Sequence, residues 1–399
     1  MLHIHARALS AAVPLIVCFA ATACSEVDPP NLVSSSVPVW RDSAAWHFDD
    51  EPARVIGTDP ADPAAWLGAV EAAAWLHDGR VAVTVPGLNQ VRIYDATGNL
   101  LHAFGGTGRS AGRFASIGAV WSAPDGTLAV VSTRDGRLEL FDTAAAVLRS
   151  LTLEPVVGSF RMVPIGGFAD GSAAAWAPAP HPVLPVPGTR LRDTLIVARF
   201  DTAGAFIRRL AAVAGMRYVV FDDGNGARQL AAPFAGPAAA TVHDSLLIVA
   251  ESDRPGILEI DLDGDTVRSI RWSVPTDVTE TLRQEYAAFI LAGAAPDGGA
   301  LIGRFLDLAG FPDRLPAIRT IRVDDRGFRW IEPWRLPWDS ATDWTIIDPG
   351  GRWLGSVAMP RDFHPTAFRD NTVLGLVTAR DQSQRPAIFV LQRSSAVGT

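Results

Sequence analysis

Residues 69–105 read AVEAAAWLHDGRVAVTVPGLNQVRIYDATGNLLHAFG. Four short apolar runs, 69–76, 80–85, 90–94 and 100–104, are divided by tight polar turns, among them Asp78-Gly79 and Asp95-Ala96-Thr97-Gly98. Val81 and Val83 alternate with other residues, as do Val91 and Ile93. A period of two bounded by turn residues is the pattern of a half-buried β-strand. Aspartate closes such turns through its own side-chain oxygen, and glycine supplies the positive φ. The stretch therefore predicts a meander of four antiparallel strands.

The pattern recurs. Aspartate-glycine turns return at Asp125-Gly126 and Asp170-Gly171, with looser copies at Asp244-Ser245, Asp325-Arg326-Gly327 and Asp370-Asn371. A second aspartate turn follows the first by 17 residues at Asp78/Asp95, Asp125/Asp142 and Asp244/Asp261. Six four-stranded units at a spacing of about 45 residues imply an all-β fold, a six-bladed β-propeller. The last unit has three strands in order, 363–369, 372–378 and 386–392. Ala53 to Ile56, upstream of the first unit, is expected to supply the missing outer strand and so close the ring without a free edge.

Two stretches break the period. AWAPAPHPVLPVPGTRLRD (175–193) interrupts the third unit. Residues 276–293 place Leu282, Tyr286, Phe289 and Ile290 at helical spacing behind a capping Thr276 or Thr279, within an insertion over about 276–315. Pro296-Asp297-Gly298 predicts a small hairpin inside that insertion.

The N-terminus carries an address. His3, His5 and Arg7 precede a small apolar run, residues 8–23, and then Cys24-Ser25. This is a signal peptide over 1–23. Ala21-Thr22-Ala23-Cys24 resembles a bacterial lipobox, which makes Cys24 the lipid attachment residue. Cys18 leaves with the signal, so the mature domain holds no cysteine pair and rests on its core. Residues 24–43, rich in serine, proline and acid, are expected to be a flexible tether, with the propeller over 44–399.

With 35 Lys plus Arg against 43 Asp plus Glu, the chain is mildly acidic, at −8, and has no basic stripe. Nucleic acid is excluded as a partner, because that affinity comes from neutralised phosphates.

Gly106-Thr107-Gly108-Arg109-Ser110-Ala111-Gly112-Arg113-Phe114 resembles the link between blades in NHL-repeat proteins. The resemblance, together with the anchor, is to lipid-anchored six-bladed propellers of bacterial envelopes. It implies an extracytoplasmic location on the outer membrane or facing the periplasm.

No catalytic constellation stands out. Gly105–Gly112 lacks the Lys-Ser/Thr of a phosphate loop. Asp261-Leu262-Asp263-Gly264-Asp265 opens like a calcium loop, but Trp272 stands where its closing glutamate belongs. The histidines are scattered, so no metal and no cofactor is expected. Tryptophan is concentrated at Trp330, Trp334, Trp338, Trp344 and Trp353. Trp344 and Trp353 suit wedges between blades. Trp334 and Trp338, in EPWRLPWDS, are the candidates for ligand contact, with His181 in the third unit's insertion.

The function expected is a monomeric, non-catalytic envelope module that binds a protein, peptide or glycan on one face. The alternative is a metal-dependent hydrolase or lyase resembling gluconolactonases or amidating lyases. That would require several Asp, Glu, Asn or His side chains converging at the inner strands, where Glu71 opens the first unit, and three or more acids lining the central channel would decide for it.

Overall fold

The computed structural model describes residues 31–41, 45–57, 67–123, 125–156, 161–180, 186–295, 298–340, 343–378 and 383–393. Their strands form six sheets, each built on antiparallel neighbours. Three short strands come first: β1 (Leu32–Ser35), β2 (Trp46–Phe48) and β3 (Arg54–Val55). Blade one follows as β4 (Ala72–Trp75), β5 (Val81–Val85), β6 (Gln90–Tyr94) and β7 (Leu100–Gly105). Blade two is β8 (Ile117–Ser122), β9 (Leu128–Ser132), β10 (Arg137–Phe141) and β11 (Val147–Thr152).

Blade three holds β12 (Val163–Gly167), β13 (Ala173–Pro178), β14 (Arg190–Phe200), β15 (Phe206–Asp222) and β16 (Ala227–Ala231). Blade four is β17 (Ala239–His243), β18 (Leu246–Ala250), β19 (Gly256–Ile260) and β20 (Thr266–Trp272). Two helices come next, α1 (Glu280–Ala292) and α2 (Gly299–Ala309). Blade five is β21 (Thr320–Val323), β22 (Arg329–Glu332), β23 (Asp343–Ile347) and β24 (Trp353–Ala358). Blade six is β25 (Phe363–Arg369), β26 (Thr372–Thr378) and β27 (Gln384–Arg393).

The aspartate turns lie where the sequence predicts. Asp95 Oδ1 accepts from the amides of Thr97 (2.8 Å) and Asn99 (2.9 Å), and Gly98 adopts φ +90°. Asp142, Asp201 and Asp261 repeat that arrangement with the residues two and four further on. Asp261 thus holds a strand turn together, which accounts for its calcium-loop appearance.

Core side chains sit between blades. Trp330 is fully buried and stacks on Phe368 at 4.5 Å, welding blade five to blade six. Trp344 lies in the same core. Trp353 packs between blades four and five. The wedge assignments therefore hold. The Gly106–Phe114 stretch is the link from blade one to blade two. Phe114 is fully buried there, and the Gly112 amide donates to the buried Glu139 carboxylate at 2.9 Å.

Ring closure uses the N-terminal segment, in two pieces. β2 pairs with β27 from Arg393 to Leu391, and β3 pairs with Ala387 and Ile388. The Ile56 amide then bonds to Pro386 O at 2.8 Å. The predicted closing strand is correct but shorter than its full partner, so Trp46–Phe48 completes the blade.

Three expectations need correction. Residues 31–41 do not hang free as part of a tether. β1 adds a parallel fifth strand to blade four, and the Val39 and Trp40 amides bond to Trp353 O (3.0 Å) and Leu354 O (2.7 Å) on blade five. Residues 31–41 and 45–56 thus form a strap on the outer edges of blades four, five and six. The small hairpin expected near Asp297 is helix α2 instead, because Ile302, Phe305, Leu306 and Ala309 recur at helical spacing and bury one stripe. Blade three is also longer than expected. β15 runs on to Asp222 and pairs with β16, giving five strands.

Candidate functional site

Strand direction assigns every loop to one of two faces. Within a blade, the turns joining strands one to two and three to four share one face, the turn face. The links joining strands two to three, and each blade to the next, share the other, the cap face. The aspartate turns all fall on the turn face. The blade-three extension, the helical insertion and the loop of Trp334 and Trp338 all fall on the cap face.

There the loops build a cap over blades three to five. Thr279 caps α1, its side chain accepting from the Leu282 amide at 3.2 Å. The two ends of the insertion are tied together by Val278 N to Asp313 O at 3.0 Å and Leu315 N to Thr276 O at 2.6 Å. α2 lies against β15, where Phe221 meets Phe305 edge-on at 5.6 Å. Arg190 Nε donates to Leu308 O at 2.8 Å. Arg192 grips Asp253 bidentately, at 2.8 and 3.0 Å, and so fastens the long hairpin to blade four. Burial pushes the Asp253 carboxyl up, but the Arg192 hydrogen bonds and the charges of Arg192 and Arg217 outweigh it. The carboxyl titrates below its ordinary value.

An aromatic cluster fills the seam between α1 and the blade-five loop. Phe234, fully buried, meets Tyr286 at 4.6 Å, Phe311 at 5.6 Å and Trp334 at 6.0 Å. Trp338 meets Phe289 at 5.3 Å and Tyr286 at 6.4 Å. Phe234 is buried and Tyr286, Phe311 and Trp334 are half-buried, whereas Phe289 is 44% and Trp338 40% exposed. Phe234 is held at φ +52°, a conformation a bulky residue adopts only under constraint, and its ring is the hub of the cluster. Burial raises the Tyr286 phenol above its ordinary pKa.

The structure thus brings Trp334 and Trp338 together, in unequal roles. Trp334 is a half-buried support and Trp338 an exposed edge. His181 and Cys24 lie outside the described residues. Sequence reasoning missed Phe234, Tyr286, Phe289 and Phe311 as site residues. Tyr286 and Phe289 were visible as part of a helical stripe, but nothing in the sequence shows which loop that stripe faces.

The channel wall has a different character. The inner strands β4, β8, β12, β17, β21 and β25 carry no Asp or Glu. Their charged or titratable residues are His243, Arg322, His364 and Arg369. Arg322 Nη1 donates to Thr320 Oγ1 and Ile321 O, each at 3.2 Å, and burial lowers its pKa while Glu332 opposes that shift. Among the described residues no three His, Cys, Asp or Glu side chains gather as a metal site. Glu71 directly precedes β4 and extends its pairing with β5, its amide donating to Thr84 O at 3.1 Å. Among the described residues the inner strands and this flank supply fewer than the three acids that the hydrolase or lyase alternative requires.

No family model matches the chain, and no curated protein does. Solved structures do. A Bacteroides fragilis protein designated as exported superposes with a TM-score of 0.50 at 8% identity, over 92% of this chain and 100% of that one. This likeness shows the fold: the chain is a β-propeller. A member of the DUF4221 family from Bacteroides vulgatus has a TM-score of 0.48 at 8% identity, over 87% and 99% of the two chains. A gluconolactonase from Xanthomonas campestris has 0.44 at 14% identity, over 87% and 97%. Among the described residues no helix is long and apolar enough to cross a membrane.

Proposed function

We propose that this chain is an extracytoplasmic, lipid-anchored propeller that acts by binding, and that its cap face takes up a protein or peptide segment with an apolar anchor. The observation that carries this reading is the pairing of Phe289 and Trp338, both substantially exposed, over the buried ring of Phe234 and the half-buried rings of Phe311 and Trp334. Exposed rings fixed by covered ones lose little freedom on binding, and aromatic side chains dominate the energetics of protein interfaces. A phenylalanine beside the tryptophan suits an apolar side chain better than a sugar, whose hydroxyls would face no polar partner on that ring.

The anchor is supported by the Ala21-Thr22-Ala23-Cys24 tetrapeptide after an apolar run. Similarity to NHL-repeat propellers rests on the glycine-rich link before Phe114. The hydrolase or lyase alternative would need its acids from outside the inner strands.

Photo-crosslinking in cells from a probe at position 288, exposed on α1 beside Phe289, tests the reading with both anchor rings in place. One envelope protein crosslinked from 288, and lost with Trp338→Ala, supports it. Glycan recovered in place of protein would transfer the same site to a carbohydrate ligand. No adduct would sink the binding role for this face.

A further inference from the structure

The anchoring proposed above has a geometric consequence, and a separate set of side chains points the same way. β1 runs parallel to β20, with Leu32 opposite Ser269 and Ser35 opposite Trp272. β20 leaves the Asp261 turn at Thr266 and climbs toward the cap face at Trp272. β1 therefore starts near the turn face. Asn31 is fixed there, its side-chain amide donating to Val267 O at 3.0 Å.

Cys24 lies seven residues before Asn31. Those residues span at most about 25 Å when fully extended. The lipid is thus held close to the turn-face end of blade four. To bring the cap face to the membrane, the same residues would have to climb the rest of the blade and a helix layer about 10 Å thick, leaving no space for a partner.

The second observation comes from the other half of the ring. Leu101 is 44% exposed, Val147 43%, Leu148 57%, Phe206 40% and Ile207 40%. All stand at the start of the fourth strand of blades one, two and three, just after the turns at Asp95, Asp142 and Asp201. Exposed apolar side chains are ordinary singly. Here they mark one rim of one face, on the three blades that the strap does not cover.

The arginines next to these tips are already engaged, Arg149 donating to Thr202 O and Arg208 pairing with Asp263 at 2.9 Å. The aspartate turns share this face, so it is the apolar tips alone that suit the boundary between acyl chains and headgroups.

We propose that the turn face lies on the membrane, with the Leu101, Val147–Leu148 and Phe206–Ile207 rim dipping into the lipid interface and the aromatic cap pointing away from it. The occupant of the rim is a lipid surface. The proposal rests on the anchoring reading.

The lipidated protein offers a clean test, because the mature chain has no cysteine besides Cys24. Leu148→Cys and Trp338→Cys, each carrying an environment-sensitive fluorophore, are reconstituted into phosphatidylethanolamine–phosphatidylglycerol vesicles that contain spin-labelled lipid, and floated on a gradient. The expected result is flotation of both, with a blue shift and quenching at 148 and neither at 338. Flotation with no quenching at 148, or with quenching at 338, overturns the membrane-facing rim and leaves the anchor standing. Failure to float, with Cys24 reactive as a free thiol, overturns the anchor and the proposal together. A Leu148→Glu, Phe206→Glu variant of the Trp338→Cys chain checks the rim. The vesicle-bound domain is expected to lose its fixed orientation, so that quenching at 338 appears.

Discussion

Trp40 lies on Gly355. A Cβ built at Gly355 would come within 2.9 Å of Trp40 Cε3 and 3.3 Å of its Cβ, and the glycine itself has φ +147°. The gap in blade five's outer strand is thus the seat of the strap's tryptophan, which also meets Trp46 at 5.2 Å. Through this contact the N-terminal segment is part of the folded ring, and blades four to six have no bare outer edge there.

Gly355→Val should accordingly dislodge Trp40 and strain the backbone at once. Trp40→Ala should cost about 2 kcal/mol, less than a fully buried tryptophan because the ring is half exposed. Urea unfolding checks both. Strap release predicts that limited proteolysis near residues 36–41 accelerates in each variant; unchanged cleavage would show that the strap is held elsewhere.

A second clamp closes the ring on the turn face. Arg393 Nη2 donates to Asp324 Oδ2 at 2.7 Å, Trp330 Nε1 reaches the same oxygen at 3.3 Å, and the guanidinium lies 4.6 Å from the Trp46 ring. Both partners are almost fully covered. Asp324→Ala leaves a buried cation without its carboxylate and should cost about 3–5 kcal/mol. Replacing Asp324 and Arg393 together by apolar residues should cost less than Asp324→Ala alone, as a double-mutant cycle would report.

Cap rigidity should depend on pH. The Asp253 carboxyl titrates below its unfolded value, so its clamp with Arg192 contributes fully above an unfolded pKa of about 3.9. That contribution is lost as the pH falls through the depressed folded value. Protection of the amides in residues 190–222, measured against their intrinsic exchange rates, should therefore fall on acidification below about pH 4. Asp253→Asn should show the lowered protection at neutral pH and lose the dependence. If protection there is unchanged by pH and by the substitution, Arg192 and Asp253 do not fasten the hairpin.

Trp338→Ala and Phe289→Ala should each weaken binding to the partner by about 2 kcal/mol, roughly thirtyfold in Kd. Neither should lower Tm noticeably, because both rings are substantially exposed. Phe234→Ala, which removes the buried hub, should lower both Tm and affinity.

The blades were legible because their information is local. Asp95, Asp142 and Asp261 each announce a turn through oxygens that bond within four residues, and alternating valines mark the strands beside them. The first part of the strap was not legible, unlike its closing strand at Ala53 to Ile56. Leu32–Ser35 is four residues of unremarkable composition, and its partner, β20, lies more than two hundred residues away. α2 was hidden because Asp297-Gly298 imitates a blade turn. Of the aromatic cluster only Trp334 and Trp338 stood out in the sequence, by their spacing. Phe234, Tyr286, Phe289 and Phe311 come from separate segments that meet only once the loops are assigned to a face.

If the cap face binds a partner, crosslinking in cells from one position on each face should show it. A photoreactive residue at 288, beside Phe289 and Trp338, should give one stoichiometric adduct with an envelope protein, and the same residue at position 125, on a turn-face loop, should not. Equal adducts at both positions, or none at 288, would contradict binding by the cap face.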